Sequence, residues 1–134
     1  MIKLDDKYFR KFEFTKEQVN RYFTNANRDL EIAKENSRNE VKFSYSYSSL
    51  IKAGIALIAA KASAKVRSIP GHHIKILETM SDILKDETVF IMGNAMRMKI
   101  NDDFYGEGIF ISDKEAQEYL AFIEKVIRKV KKEL

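Results

Sequence analysis

The stretch SSLIKAGIALIAAK, Ser48–Lys61, decides the fold. Leu50, Ile51, Ile55, Leu57 and Ile58 fall on nearly every side of a helical wheel, so a helix here must be covered from several directions. Ala53, Gly54, Ala56, Ala59 and Ala60 lie between them, and small side chains let neighbouring helices approach closely. Lys52 and Lys61 interrupt the run, which is too short to span a bilayer. The reading is a central helix, about Val41 to Lys65, wrapped by others.

Outward from that helix, Thr15 and Gln18 form a capping-box pattern. Val19, Tyr22, Phe23, Ala26, Leu30 and Ala33 follow at spacings of three and four, predicting a first helix from about Lys16 to Asn36. After the central helix, RSIPGHH (Arg67–His73) breaks the chain, because Pro70 restricts Ile69 to extended geometry and Gly71 is free to turn. A third helix is predicted over about His72–Leu84, its stripe being Ile74, Leu77, Met80 and Leu84. A fourth, about Glu87–Asn101, carries Val89, Met92, Met96 and Ile100. Ser112 and Glu115 repeat the capping box before a last helix whose buried face is Tyr119, Phe122, Ile123, Val126 and Val130.

One proline, five glycines and no alternating runs with hairpin turns argue against a sheet protein. The fold class is therefore all-α, an antiparallel up-and-down bundle of four to five helices joined by short loops. Residues 15–134 form one domain, and residues 1–14 an extension. That extension, apolar only at Tyr8, Phe9, Phe12 and Phe14 beyond its start, is expected to pack across the bundle, a paired strand or an arm swapped in a dimer being the alternatives.

The bulk numbers agree with this class. A chain of 134 residues, 45% hydrophobic and 33% charged, builds one core without staples. The absence of cysteine excludes disulfides, thiolate nucleophiles and cysteine-held metal, and suits a reducing, cytoplasmic setting. MIKLDDKYFRKFEF lacks the apolar core of a signal peptide. No membrane association is expected, and a net charge of +4 permits a nucleic-acid partner without requiring one.

The candidate chemistry is concentrated in RMKINDDFYGEG, residues 97–108. On a helix Arg97 and Asn101 share a face, and Arg97, Lys99 and Asn101 are the candidate phosphate or nucleotide contacts. Asp102 and Tyr105 join Arg97 and Asn101 as candidate catalytic groups. The bland alternative is a helix ending near Asn101, its cations serving the C-terminal dipole. His72 and His73 are adjacent and point about 100° apart, so they are no metal pair. One is expected to pack or cap and the other to be solvated. Ser48 and Ser49, in SYSYSS, are expected to be exposed, with no neighbouring base to activate a serine. The terminal RKVKKE reads as a solvated cationic face, and GEG at Gly106–Gly108 lacks the strand and lysine of a phosphate loop. No metal and no cofactor is expected.

RDLEIAK (Arg28–Lys34), SSLIKAGIALIAAK, VRSIPGHHIKILE (Val66–Glu78), NDDFYG (Asn101–Gly106) and ISDKEAQEYLAFIEKV (Ile111–Val126), in this order, resemble the HEPN domains (higher eukaryotes and prokaryotes nucleotide-binding). The resemblance runs from about Phe14 to the C-terminus and is closest to prokaryotic members found beside small nucleotidyltransferases in toxin–antitoxin or mobile-element loci. It implies a homodimer, with RNA, a nucleotide or a nucleotidyltransferase as partner. Many members are metal-independent endoribonucleases whose motif is an arginine, a polar residue and a histidine four to six residues beyond the arginine. This chain has Ile100-Asn101 where the family places Arg-Asn, and no histidine follows within reach. Taken from Arg97, the motif finds Asp102 or Asp103 at the histidine position, and a carboxylate supplies no acid near pH 7 unless its pKa is strongly raised. Tyr105 matches a tyrosine of some relatives, yet an ordinary phenol is a poor base at neutral pH. Three readings follow: a binding protein with catalysis weakened or lost, an active endoribonuclease with an altered motif, or a helical interaction module.

Overall fold

The computed structural model describes residues 3–104 and 110–134, and of residues 102–104 the backbone only. It contains β1 (Phe9–Lys11), α1 (Lys16–Glu35), α2 (Asn39–Ala62), β2 (Ala64–Val66), α3 (His72–Leu84), α4 (Glu87–Phe104) and α5 (Asp113–Glu133). Both capping boxes are formed. The Thr15 and Ser112 hydroxyls accept from the N3 amides while the Gln18 and Glu115 side chains return to the cap amides. The short α1–α2 and α3–α4 connections fold each pair into a hairpin, since a reversal is all they allow.

The α2 helix is the centre of the molecule. It packs against α1, α3, α5 and the edge of α4, and Leu50, Ala53, Ala56, Leu57 and Ile58 are fully buried. Gly54 explains part of the fit: a Cβ there would stand 2.5 Å from Ile76 Cγ2 and Met80 Sδ, so only glycine lets α3 lie this close.

Polar residues close the α1–α2 contact. Asp29, 2% exposed, receives the Ser48 hydroxyl at 2.6 Å and the Lys52 ammonium at 2.7 Å. Ser49 is fully buried and donates to the Ala26 carbonyl at 2.8 Å. The expected exposure of Ser48 and Ser49 is thus corrected, because the serine face of α2 is the one that meets α1. Lys42, itself buried, donates to the Ala33 and Lys34 carbonyls and caps the negative end of α1.

The two largest departures from the sequence reading are at the ends of α2 and α4. The central helix stops at Ala62 rather than Lys65: Ser63 turns left-handed at φ 48°, and Ala64–Val66 become β2. This strand pairs antiparallel with β1, Phe9 opposite Val66 and Lys11 opposite Ala64. The Phe12 amide donates to the Ser63 carbonyl at 2.8 Å, and Phe9 is buried. Ladder bonds and aromatic burial together outweigh the helix preference of the alanines. The extension expected to pack across the bundle instead pairs as a strand over Phe9–Lys11, with Phe9 entering the core. The fourth helix continues past Asn101 to Phe104, so Arg97 lies inside the helix rather than on its final turn.

The loop before α3 is held by the same extension. The Arg67 amide donates to the Tyr8 carbonyl at 2.7 Å and the Arg67 guanidinium to the Asp6 carbonyl at 3.3 Å. Gly71 takes φ 87°, and a Cβ on it would press on the Tyr8 hydroxyl at 3.2 Å. The turn expected at Pro70-Gly71 is therefore locked by Tyr8.

Candidate anion-binding site

Three helices and this loop line an open cavity of about 550 Å³, within the range of small-ligand sites. Tyr47 comes from α2, Ser68 and Pro70 from the loop, His72 and His73 from the start of α3, and Arg97, Ile100 and Asn101 from α4. Among the described residues no carboxylate lines it. Gly71 caps α3 without a side-chain hydrogen bond, so the positive end of that helix faces the same space.

Arg97 and Asn101 enter together because four residues separate them on α4. Asn94, one turn earlier, accepts from Arg97 Nε at 3.0 Å and fixes the base of the guanidinium. Lys99 does not join them. Two residues along the helix it points elsewhere, and its ammonium reaches Glu115 on α5 at 3.4 Å. Ile100 lines the cavity as an apolar wall. The Asp102 side chain, Tyr105 and the GEG turn lie outside the described residues.

The histidines are where the structure adds most. His72 Nδ1 lies 2.7 Å from the Ile69 carbonyl and caps the loop, as one histidine was expected to do. The other is not solvated: His73 is half-buried, its Nδ1 2.9 Å from the Tyr47 hydroxyl. Burial, then the neighbouring His72 and Arg97, lowers the His73 pKa to about 4, so the ring is neutral at pH 7. Burial pushes the Tyr47 phenol well above its ordinary range, an effect Arg97 only partly opposes. Tyr47 therefore stays protonated. If it donates to Nδ1, Nε2 carries the ring proton; if Nδ1 donates to the phenol oxygen, Nε2 keeps its lone pair. In both tautomers Nε2 has no protein partner among the described residues.

The arrangement suits anion capture better than proton transfer. Arg97 supplies a permanent charge and a fork of donors matched to phosphate or carboxylate. A histidine titrating near 4 is a weak base at pH 7, and a phenol held above its ordinary range is a weaker acid still. His73 and Tyr47 escaped sequence reasoning because neither shares a helix with Arg97. A histidine sought along one helix cannot reveal one delivered by another. The only local signal was the pair of histidines directly after Pro70-Gly71.

Among the described residues no three His, Asp or Glu side chains stand in metal-binding reach, and no helix is long and apolar enough to cross a membrane. In comparisons with known proteins, no family model, no curated protein and no solved structure matches this chain.

Proposed function

We propose that this chain is a HEPN-type helical protein that binds RNA or a nucleotide through the Tyr47–His73–Arg97–Asn101 cavity, with cleavage weak or absent. The observation that carries the reading is the convergence of Arg97, the open end of α3 and a neutral imidazole on one cavity. The order of the helices supports the family resemblance. The same resemblance motivates the rest of the reading: a homodimer acting in the cytoplasm with a nucleotidyltransferase-type partner, in a toxin–antitoxin or mobile-element setting.

One observation favours the second reading, an active metal-independent endoribonuclease. His73 supplies from α3 the imidazole that is missing downstream of Arg97, and it does so beside the same cavity. Attack by an RNA 2′-hydroxyl needs a base, an acid and a cation for the crowded phosphate. Arg97 meets the last need, while the protonation states of His73 and Tyr47 fit the first two poorly.

A single assay separates the readings. Labelled single-stranded RNA is titrated with the natural protein and with Arg97→Ala at two salt concentrations, then incubated in excess chelator. Salt-sensitive binding, weakened about tenfold by Arg97→Ala and without cleavage, is the expected result. Chelator-resistant cleavage lost in His73→Ala establishes the endoribonuclease instead. Binding indifferent to Arg97 removes the cavity from the account.

A further inference from the structure

The α3–α4 hairpin carries a second concavity, about 510 Å³, that shares no residue with the anion cavity. Its lining is Glu78, Ser81, Asp82, Glu87, Phe90 and Ile91. Ile91 is 59% exposed, and from it an apolar stripe continues along α4 through exposed Ala95 to Met98, 48% exposed. Positions 91, 95 and 98 recur at the spacing of one helix face. The helix does not need this face for its own packing, because Val89 and Met96 already fill the core from another side. Both faces of α4 are thus apolar, and only one is covered.

The charge around the Ile91 end of this stripe is the reverse of the chain's. The protein carries +4, yet three carboxylates and no cation line the groove. Glu78 is shared with Lys75 at 3.5 Å, whereas Asp82 and Glu87 have no ion pair among the described residues. An apolar floor with an acidic rim, running along a helix, fits the apolar seam of a second helix flanked by lysines or arginines.

We propose that this groove seats a cationic amphipathic helix of a partner protein. A second copy of this chain does not suit the position. Two-fold packing sets each patch on its own copy, which here would bring Glu78, Asp82 and Glu87 against like charges. The chain's own cationic segment, the end of α5, turns Val126, Ile127 and Val130 into its own core and has no apolar face to lend. Nucleic acid is repelled by the rim. The groove is a separate surface from the anion cavity, and its occupancy does not depend on what that cavity binds.

The test uses the full chain, isotope-labelled, and two synthetic helical peptides of roughly 18 residues, long enough to hold a helix on docking. One is patterned in leucine and lysine, the other in leucine and glutamate. The lysine peptide is expected to shift amides of α3 and α4 around Glu78–Met98, and the glutamate peptide to leave them in place. Ile91→Asp, and separately Asp82→Lys with Glu87→Lys, should each weaken the lysine peptide about tenfold with thermal unfolding unchanged. Shifts spread over the whole surface, or affinity indifferent to these variants, overturn the proposal. So does a concentration-dependent shift of the Ile91 and Met98 amides in the chain alone, which assigns the groove to a second copy.

Discussion

The two sides of α2 treat buried polar groups in opposite ways. Toward α1, Asp29, Ser48, Ser49, Lys42 and Lys52 are paired with one another or with main-chain carbonyls. Toward α3 and α4, Tyr47 and His73 hold each other while His73 Nε2 and the Arg97 fork face a cavity. A buried charge with every partner in place is a fastening, and removing one partner strands the other. A charge with capacity to spare beside an open volume is equipment for a ligand. The helix spacing behind both clusters is the same, so spacing alone does not distinguish them.

The largest expected effect breaks the closed side. Asp29→Ala leaves Ser48 and Lys52 without their acceptor and should cost about 3 kcal/mol in urea unfolding. Arg97→Ala, on the open side, should change stability by less than about 0.5 kcal/mol while weakening anion binding. If Arg97→Ala proves as destabilising as Asp29→Ala, the cavity is a second fastening and the contrast fails.

Titration of His73 sharpens the comparison at an intermediate magnitude. Its folded pKa, about 4, lies below the ordinary 6.5, so between those values the unfolded chain takes up the proton first. The contribution is fully present above about 6.5 and is lost as pH falls toward 4. Allowing for partial exposure, that loss is on the order of 1–2 kcal/mol. Unfolding measured at about pH 7 and about pH 4.5 should show it, and His73→Asn should flatten this component. A His73 resonance titrating near 6.5 in the natural protein refutes it.

The smallest effect concerns an ion pair outside both clusters. Lys129 on α5 donates to Asp86 at 2.5 Å and, with Thr88, holds that carboxyl at about 2. The stabilisation is present above the ordinary carboxylate pKa and is lost as pH falls through the folded value. Lys129→Ala should raise the Asp86 pKa toward the ordinary range and cost about 0.5 kcal/mol at neutral pH. Carboxyl NMR titration reads the shift, and an unmoved Asp86 would leave Thr88 as the controlling partner.

What the sequence disclosed follows the range of the interactions. Capping boxes are local, and they placed the starts of α1 and α5; of the α3 stripe Leu77 and Met80 are buried, whereas Ile74 lines the cavity and Ile76, outside the stripe, fills the core. The stop of α2 at Ala62 depends on a strand from the far end of the chain, which no window around Ala59–Lys65 contains. Arg97 and Asn101 were legible because one helix carries both. His73 and Tyr47 were not, since the cavity joins residues from three helices, and the exposure of Ser49 was misjudged because the facing helix decided it. Lys99 looked equivalent to Arg97 in a list of cations, yet helix rotation sends it to Glu115.

The ribbon of β1 and β2 also sets an order of assembly. During synthesis Phe9–Lys11 precede α1 but find no strand until Ala64–Val66 have been made. The α1–α2 hairpin, closed by a short connection, can form in the interval at little loop-closure cost. Residues that precede α1 are therefore seated after it. With them Tyr8 comes to rest on Gly71, so a segment that precedes every helix fixes the turn that opens α3.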